Sequence, residues 1–261
     1  MTRRVLATQF HRLMTAGRTA PLLCGCEDEA ERRVDDYIVK LRGSVELGDT
    51  GMLCELFASY LANHFGILVP EPALVEVSRS FAEIVASREP TIADKIRRSV
   101  GLNFGSRQVT GGGTWPVDRP VPDALFRSAV DTFGFDALIQ NPDRRFNNPN
   151  LLWKGDEIIL YDHEMSFSFL VDVLGDSRAL FPASYSYMEQ HVFFRRLKRR
   201  VIDLDEFKGR LAALTDDVLT AIRNQIPEMW RNDNLPRIES HLRRMRDHAD
   251  EFIELIRRVL A

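Results

Sequence analysis

The spacing of apolar residues changes along this chain, and that change limits the folds open to it. Over Asp36–Arg42, Tyr37, Val39 and Leu41 alternate with Ile38 and Lys40. Period two with β-branched and aromatic residues predicts a strand. From Gly48 to Gly66 the recurrence becomes helical, through Leu53, Leu56, Phe57, Tyr60, Leu61 and Phe65. Asp49 or Thr50 reads as the N-cap of that helix and Gly66 as its stop. Pro21–Cys26 reads as a further strand and Glu27–Asp35 as a charged turn. Leu74–Val77 and Phe81–Val85 read as a hairpin around Ser78-Arg79-Ser80, and Ile92–Val100 as a short helical piece. Gly111-Gly112-Gly113 is a loop or linker. Beyond it lie a helix over Pro122–Ile139 and, from Met188, amphipathic helices broken by Pro227 and Pro236. The pattern implies an α+β chain, with a small β-rich unit over 1–110 and a helical unit over 111–261.

With 261 residues, 44% of them hydrophobic, both units can bury a core. The formal net charge of −3 gives no global basic field, so a nucleic-acid partner is not expected. Cys24, Cys26 and Cys54 are too few for a disulfide scaffold and lack a second pair for zinc; they read as reduced packing residues. No run approaches the roughly 18 apolar residues that span a bilayer, and Gln9 and His11 interrupt any leader core. A cytoplasmic protein without a membrane partner is the default expectation.

The chemistry is concentrated in Asn141-Pro142-Asp143-Arg144-Arg145-Phe146-Asn147-Asn148-Pro149-Asn150 and Leu160-Tyr161-Asp162-His163. An Asp five residues before an Asn, then an apolar hairpin leading to a second Asp, is the order that phosphoryl transfer uses. One Asp accepts the hydroxyl proton, and the Asn and second Asp hold Mg²⁺. Asp143 is the candidate base. Asn148 and Asp162 are the candidate metal ligands, with Asn150 as a second amide donor, all hard oxygens of the kind Mg²⁺ prefers. The alternative is a set of ordinary Asn/Pro/Asp turns. Arg144 either positions the loop or touches phosphate. Lys40, mid-strand among apolar neighbours, is the candidate phosphate ligand, and Glu55, the lone carboxylate of its helix, is its candidate ion-pair partner. The turn Thr15–Ala20, with Thr19 in it, can cover phosphates through backbone N–H groups, although an ordinary hairpin turn is the simpler reading. His163 reads as a packed or hydrogen-bonded histidine. The run Arg195, Arg196, Lys198, Arg199, Arg200 reads as a solvated face, with docking of an acidic partner or RNA as the sharper alternative.

N-P-D-R-R-F-N-N-P-N-L-L followed by I-I-L-Y-D-H-E-M-S-F resembles the catalytic and metal motifs of HipA-like kinases, particularly a compact bacterial branch. C-E-L-F-A-S-Y-L-A-N-H-F-G-I-L-V-P-E-P is similar to that family's Glu-bearing helix and strand entry, and Asn103-Phe104-Gly105-Ser106 to a segment of the same branch. A more distant likeness is to phosphoinositide kinases. The resemblance covers about Arg18 to Phe169. It implies a bilobal protein-kinase-like fold, with a small β-rich N-lobe and a helical C-lobe, using ATP and Mg²⁺. It further implies Asp143 as base, Asn148 and Asp162 on metal, Lys40 on phosphates and Glu55 on Lys40. Ile84–Ser87 or Phe104–Ser106 would form the adenine hinge. The expected activity is transfer to a Ser/Thr hydroxyl of a protein, the chain itself among the acceptors, with a toxin–antitoxin or stress role and a small operon-encoded partner implied by resemblance alone. The longer members' extra N-terminal subdomain has no counterpart here, and Arg145 and Phe146 stand where small residues or His are usual, leaving the substrate open. The alternatives are a nucleotide-binding pseudokinase or scaffold, and a lipid or small-molecule kinase.

Overall fold

The computed structural model describes residues 1–14, 19–28, 30–116, 119–172 and 180–261. Five strands, β1 (Arg3–Leu13), β2 (Leu22–Asp28), β3 (Arg33–Lys40), β4 (Pro72–Val77) and β5 (Gly101–Arg107), close into a barrel in the order β1-β2-β3-β5-β4. Every pair is antiparallel except β1 with β4, where Val5 lies opposite Val75. Inward residues alternate as the period requires: Leu22, Cys24 and Cys26 on β2, Tyr37 and Val39 on β3, Ala73, Val75 and Val77 on β4. Cys24 and Cys26 are buried free thiols here, and Cys54 is buried in the neighbouring helix.

The region Leu74–Val85 departs from the hairpin expectation. β4 ends at Val77, and a helix α2 (Arg79–Arg88) begins after Ser78, whose hydroxyl accepts from the Phe81 N–H. A Ser N-cap followed by Phe81, Ala82, Val85 and Ala86 on one buried face is a helix start; the short apolar run imitates a strand only when the cap is overlooked. α3 (Ala93–Arg98) follows and leads into β5, the glycine-bearing strand that fills the barrel between β3 and β4.

Helix α1 (Asp49–His64) forms where the helical period was read. Gly48, rather than Asp49 or Thr50, occupies its N-cap, with no side-chain cap bond. Gly66 follows its C-cap in the left-handed conformation at φ 66°, as a helix stop requires. α1 is apolar almost all round and does not belong to the barrel core. It lies in a larger core with α4 (Phe126–Leu138), α6 (Asp205–Ala212), α7 (Asp216–Arg223), α8 (Asn234–Asp247) and α9 (Ala249–Leu260), where Phe57 meets Phe167 and Phe65 meets Phe135 and Phe207. The short strand β6 (Gly113–Thr114) pairs with β7 (Leu151–Lys154), which forms a tight hairpin with β8 (Glu157–Leu160) over Gly155 at φ 58°. Leu68 bridges Ile159, and its carbonyl accepts from the Leu160 N–H at 2.8 Å, so the segment after α1 covers the outer edge of β8. A one-turn helix α5 (Phe194–Leu197) precedes the C-terminal bundle. Pro236 does not break that bundle: it sits in the first turn of α8, where its missing N–H would have no intrahelical partner in any case. Among the described residues no helix is long and apolar enough to cross a membrane.

Candidate active site

Lys40 ends β3, and its neighbourhood is built to fix it. Buried Asn103 on β5 donates to the Ser99 and Gly101 carbonyls at 2.7 and 2.9 Å and accepts from the Arg42 N–H at 2.9 Å. That pins the chain two residues past the lysine. The Lys40 Nζ contacts Glu55 of α1, donates to Asp162 Oδ1 at 2.6 Å and lies 3.8 Å from Glu164 Oε2. Asp162 follows β8 at φ 63°, a left-handed conformation that Asp and Asn tolerate best among residues with a Cβ. Its side chain is the most accessible of the three carboxylates, at 32% against 2% for Glu55 and 5% for Glu164.

Burial works to lower the Lys40 pKa, but Glu55, Asp162 and Glu164 outweigh it and the ammonium is held charged. Burial pushes Glu55 up to about 7 against the pull of Lys40. It also raises Glu164, whereas at Asp162 Lys40 overcomes burial and the pKa falls. One ammonium facing three carboxylates leaves surplus negative charge in a partly dry site. Glu55, Asp162 and Glu164 bring ligand oxygens within 4.8 Å of one another. This hard-oxygen set, with excess charge that a cation would satisfy, fits a divalent ion such as Mg²⁺.

Asp143 anchors a second cluster. Its Oδ2 accepts from the Asn148 and Asn150 amides at 2.9 and 3.2 Å, its Oδ1 from Arg145 at 2.8 Å, and its N–H donates to Asn141 Oδ1 at 3.1 Å. The amides expected to serve metal are thus gathered around the candidate base, while Asp162 is gathered around Lys40. Arg144 joins the two clusters. Its Nη1 donates to the Asn150 carbonyl at 2.6 Å and to the Tyr161 carbonyl, next to Asp162, at 3.1 Å. Its Nε donates to Asp136 Oδ2 at 2.6 Å. Asp136, on α4, also accepts from Asn141 at 3.1 Å and contacts His191 Nε2 at 3.0 Å. Arg144 and Asp136 side chains are both fully inaccessible. The phosphate-touching reading of Arg144 is therefore corrected: a guanidinium sealed inside the protein cannot reach a nucleotide, and it holds the loop instead.

Other expectations meet the structure as follows. Thr19 is half-buried beside the turn, but Thr15–Arg18 lie outside the described residues, so the phosphate-covering turn does too. His163 is buried and packs edge-on against Phe135; burial and Arg144 depress its pKa to about 3, and its backbone N–H serves Glu55. Neither hinge candidate offers a free backbone edge to a base, because Ile84–Ser87 lies inside α2 and Phe104–Ser106 is paired with β3 and β4. Sequence reading missed Glu164, Asp136 and His191. The D-H-E order after β8 was a usable signal for Glu164. Asp136 lies in an apolar helix stretch where an isolated acid asks for a partner, and nothing local marks His191.

A barrel-plus-helices fold in which a strand lysine spans a helix glutamate and a post-hairpin aspartate defines a kinase-like protein. The chain matches the HipA-like kinase family over residues 7–256 and belongs to that family. Its fold is similar to that of the Helicobacter pylori proinflammatory kinase CtkA, with a TM-score of 0.58 at 11% identity, covering 99% of this chain and 98% of that one. At that identity the likeness bears on the fold alone. A search of curated proteins finds no match. The family implies use of ATP and a divalent metal.

Proposed function

We propose that this chain is an ATP- and Mg²⁺-dependent phosphotransferase whose acceptor is a Ser or Thr hydroxyl of a protein, with the barrel and the helical part acting as two lobes around the site. The observation that carries the reading is Lys40 in contact with both Glu55 and Asp162, groups 15 and 122 residues away in sequence. Such convergence has no local structural explanation, and it supplies the charge that a triphosphate needs. Lys40, oriented by Glu55, would neutralise phosphate oxygens. Asp162 and Glu164 would hold the metal, joined by the amide oxygens of Asn148 and Asn150 from the Asp143 loop, and the metal when bound neutralises charge on the transferred group. Asp143 takes the acceptor hydroxyl proton on a carboxylate oxygen, and Arg145, Asn148 and Asn150 fix its orientation. Self-phosphorylation is the same reaction on one of the chain's own hydroxyls.

The test is transfer of label from [γ-³²P]ATP, in the presence of Mg²⁺, to a mixed protein acceptor and to the chain itself. Expected is incorporation into acid-stable phosphoserine or phosphothreonine that Asp143→Ala and Asp162→Ala abolish. Tight nucleotide binding without transfer under any divalent metal would assign the site to signalling rather than catalysis. Labelling of lipid or free sugar in preference to protein would replace the acceptor class.

A further inference from the structure

The segment from His191 to Ile202 contains five cations, Arg195, Arg196, Lys198, Arg199 and Arg200, and no carboxylate, in a chain of 35 Lys and Arg against 38 Asp and Glu. Its position in the fold gives this charge a use. The Phe146 N–H donates to the Gln190 carbonyl at 3.0 Å, the Val192 N–H donates to the Arg144 carbonyl at 3.1 Å, and Arg145 bridges His191. The loop that carries Asp143 is therefore stitched to the start of the basic segment. Phe146, three residues after Asp143, leaves 40% of its surface exposed, and the Arg195 guanidinium lies 5.4 Å from its ring centre. Arg196 is committed to Asp123, and Arg200 and Lys198 lie over Phe126 and Phe194. Arg195 itself is exposed and has only the Phe146 ring as a recorded partner among the described residues.

We propose that Phe146 and Arg195, backed by the field of the basic segment, form the docking ridge for the acceptor polypeptide and select an acidic segment beside the hydroxyl that is phosphorylated. This rests on the phosphotransferase reading above. A cation over an exposed ring sets charge and apolar surface side by side; a carboxylate can pair with the guanidinium while an apolar stem lies on the ring. Charge complementarity favours an acidic peptide. A nucleic acid is less well served, since the ridge offers one stacking ring and the rest of the chain is net acidic.

Two readouts separate this inference from the function on which it rests. Fluorescence anisotropy measures binding of a labelled peptide with Glu and Asp around one Ser, against the same peptide with Lys in their place, on the unaltered full chain. Label transfer from ATP measures kcat and KM for both peptides. Expected is preferential binding of the acidic peptide and a higher kcat/KM for it. Arg195→Glu should weaken both by about tenfold, the size of one to two exposed charge pairs, through KM rather than kcat. Phe146→Ala should act in the same direction. Arg4→Glu, reversing an exposed cation on β1 of the barrel, should leave both unchanged. The difference between peptides should shrink as salt rises. Equal binding of the two peptides, or no response to Arg195→Glu, overturns the ridge whatever the transfer assay shows. An oligonucleotide that outcompetes the acidic peptide at equal salt overturns it in favour of nucleic acid. Preferential binding without any transfer upholds the ridge and overturns the catalytic reading instead.

Discussion

The fully buried Arg144–Asp136 pair offers the most quantitative test of how this site is held. Replacing Arg144 by Met removes the donor at 2.6 Å from Asp136 and the donor shared by the Asn150 and Tyr161 carbonyls. Among the described residues Asp136 keeps His191 and Asn141 as side-chain partners, in a position without solvent. Breaking one side of a buried ion pair costs about 3–5 kcal/mol, because the remaining charge is left uncompensated. Asp136→Asn leaves the guanidinium stranded and should cost a similar amount. The double variant has no buried charge to strand. Its remaining cost is the loss of donors to two carbonyls, about 1–3 kcal/mol each. The two single changes should therefore be strongly non-additive, with a coupling energy of about 4 kcal/mol at the centres of these ranges, against the ~0.5 kcal/mol that independent sites show. Urea unfolding followed by fluorescence of Trp115, Trp153 and Trp230 measures all four species. Additivity within 0.5 kcal/mol, or a single-variant cost below about 1 kcal/mol, would refute the claim that this pair ties the Asp143 loop to the Asp162 strand end.

His163 has its pKa depressed to about 3 from 6.5, so the folded state resists its protonation. The stability this contributes is complete above pH 6.5 and is lost as pH falls toward 3; between pH 7 and 4.5 the loss should be on the order of 2–3 kcal/mol, read by urea titration and absent from His163→Phe. Mg²⁺ with ATP at about 100 times the dissociation constant should stabilise the fold by about 2.7 kcal/mol in thermal denaturation, and Asp162→Ala should remove the metal-dependent part. Ser78→Ala deletes the α2 cap and should cost about 1 kcal/mol in chemical unfolding without changing transfer kinetics, since α2 lies outside the site.

The sequence patterns were legible where local spacing alone decides structure. The α1 period, the β7–β8 turn and the α4 stripe form as read, and the β3 alternation forms with shifted ends: the strand takes in Arg33–Asp35 from the expected charged turn, whose Glu27 and Asp28 extend β2, and it stops at Lys40. The contact of Lys40 with Glu55 also joins the two residues read as partners, because a lone charge in an apolar element must find one; Asp162, read as a metal ligand beside Asn148, meets Lys40 instead. Failures came where a single residue outweighs a pattern. Ser78 caps a helix that a short apolar run disguised as a strand, and Pro236 begins a helix it was expected to break. Glycines hid β5, although its place between two strands leaves small residues little to do but pair. Loop positioning by Arg144 was one of the two readings open from sequence, but its partners lay beyond local reading. Its partners include backbone carbonyls 6 and 17 residues away, and carbonyls have no sequence signature.

The barrel and the helical bundle keep separate apolar cores, and α1 belongs to the second. Lys40 therefore reaches from one core into the other, and its contacts with Glu55 and Asp162 are a clasp across the seam. Parting the two cores, as entry of the nucleotide of the proposed reaction would require, would drag α1 along with the bundle and pull the clasp open. The energetic cost of access then falls on stripping two carboxylates from an ammonium. Any ligand whose phosphates take over that ammonium would lower the cost of its own entry.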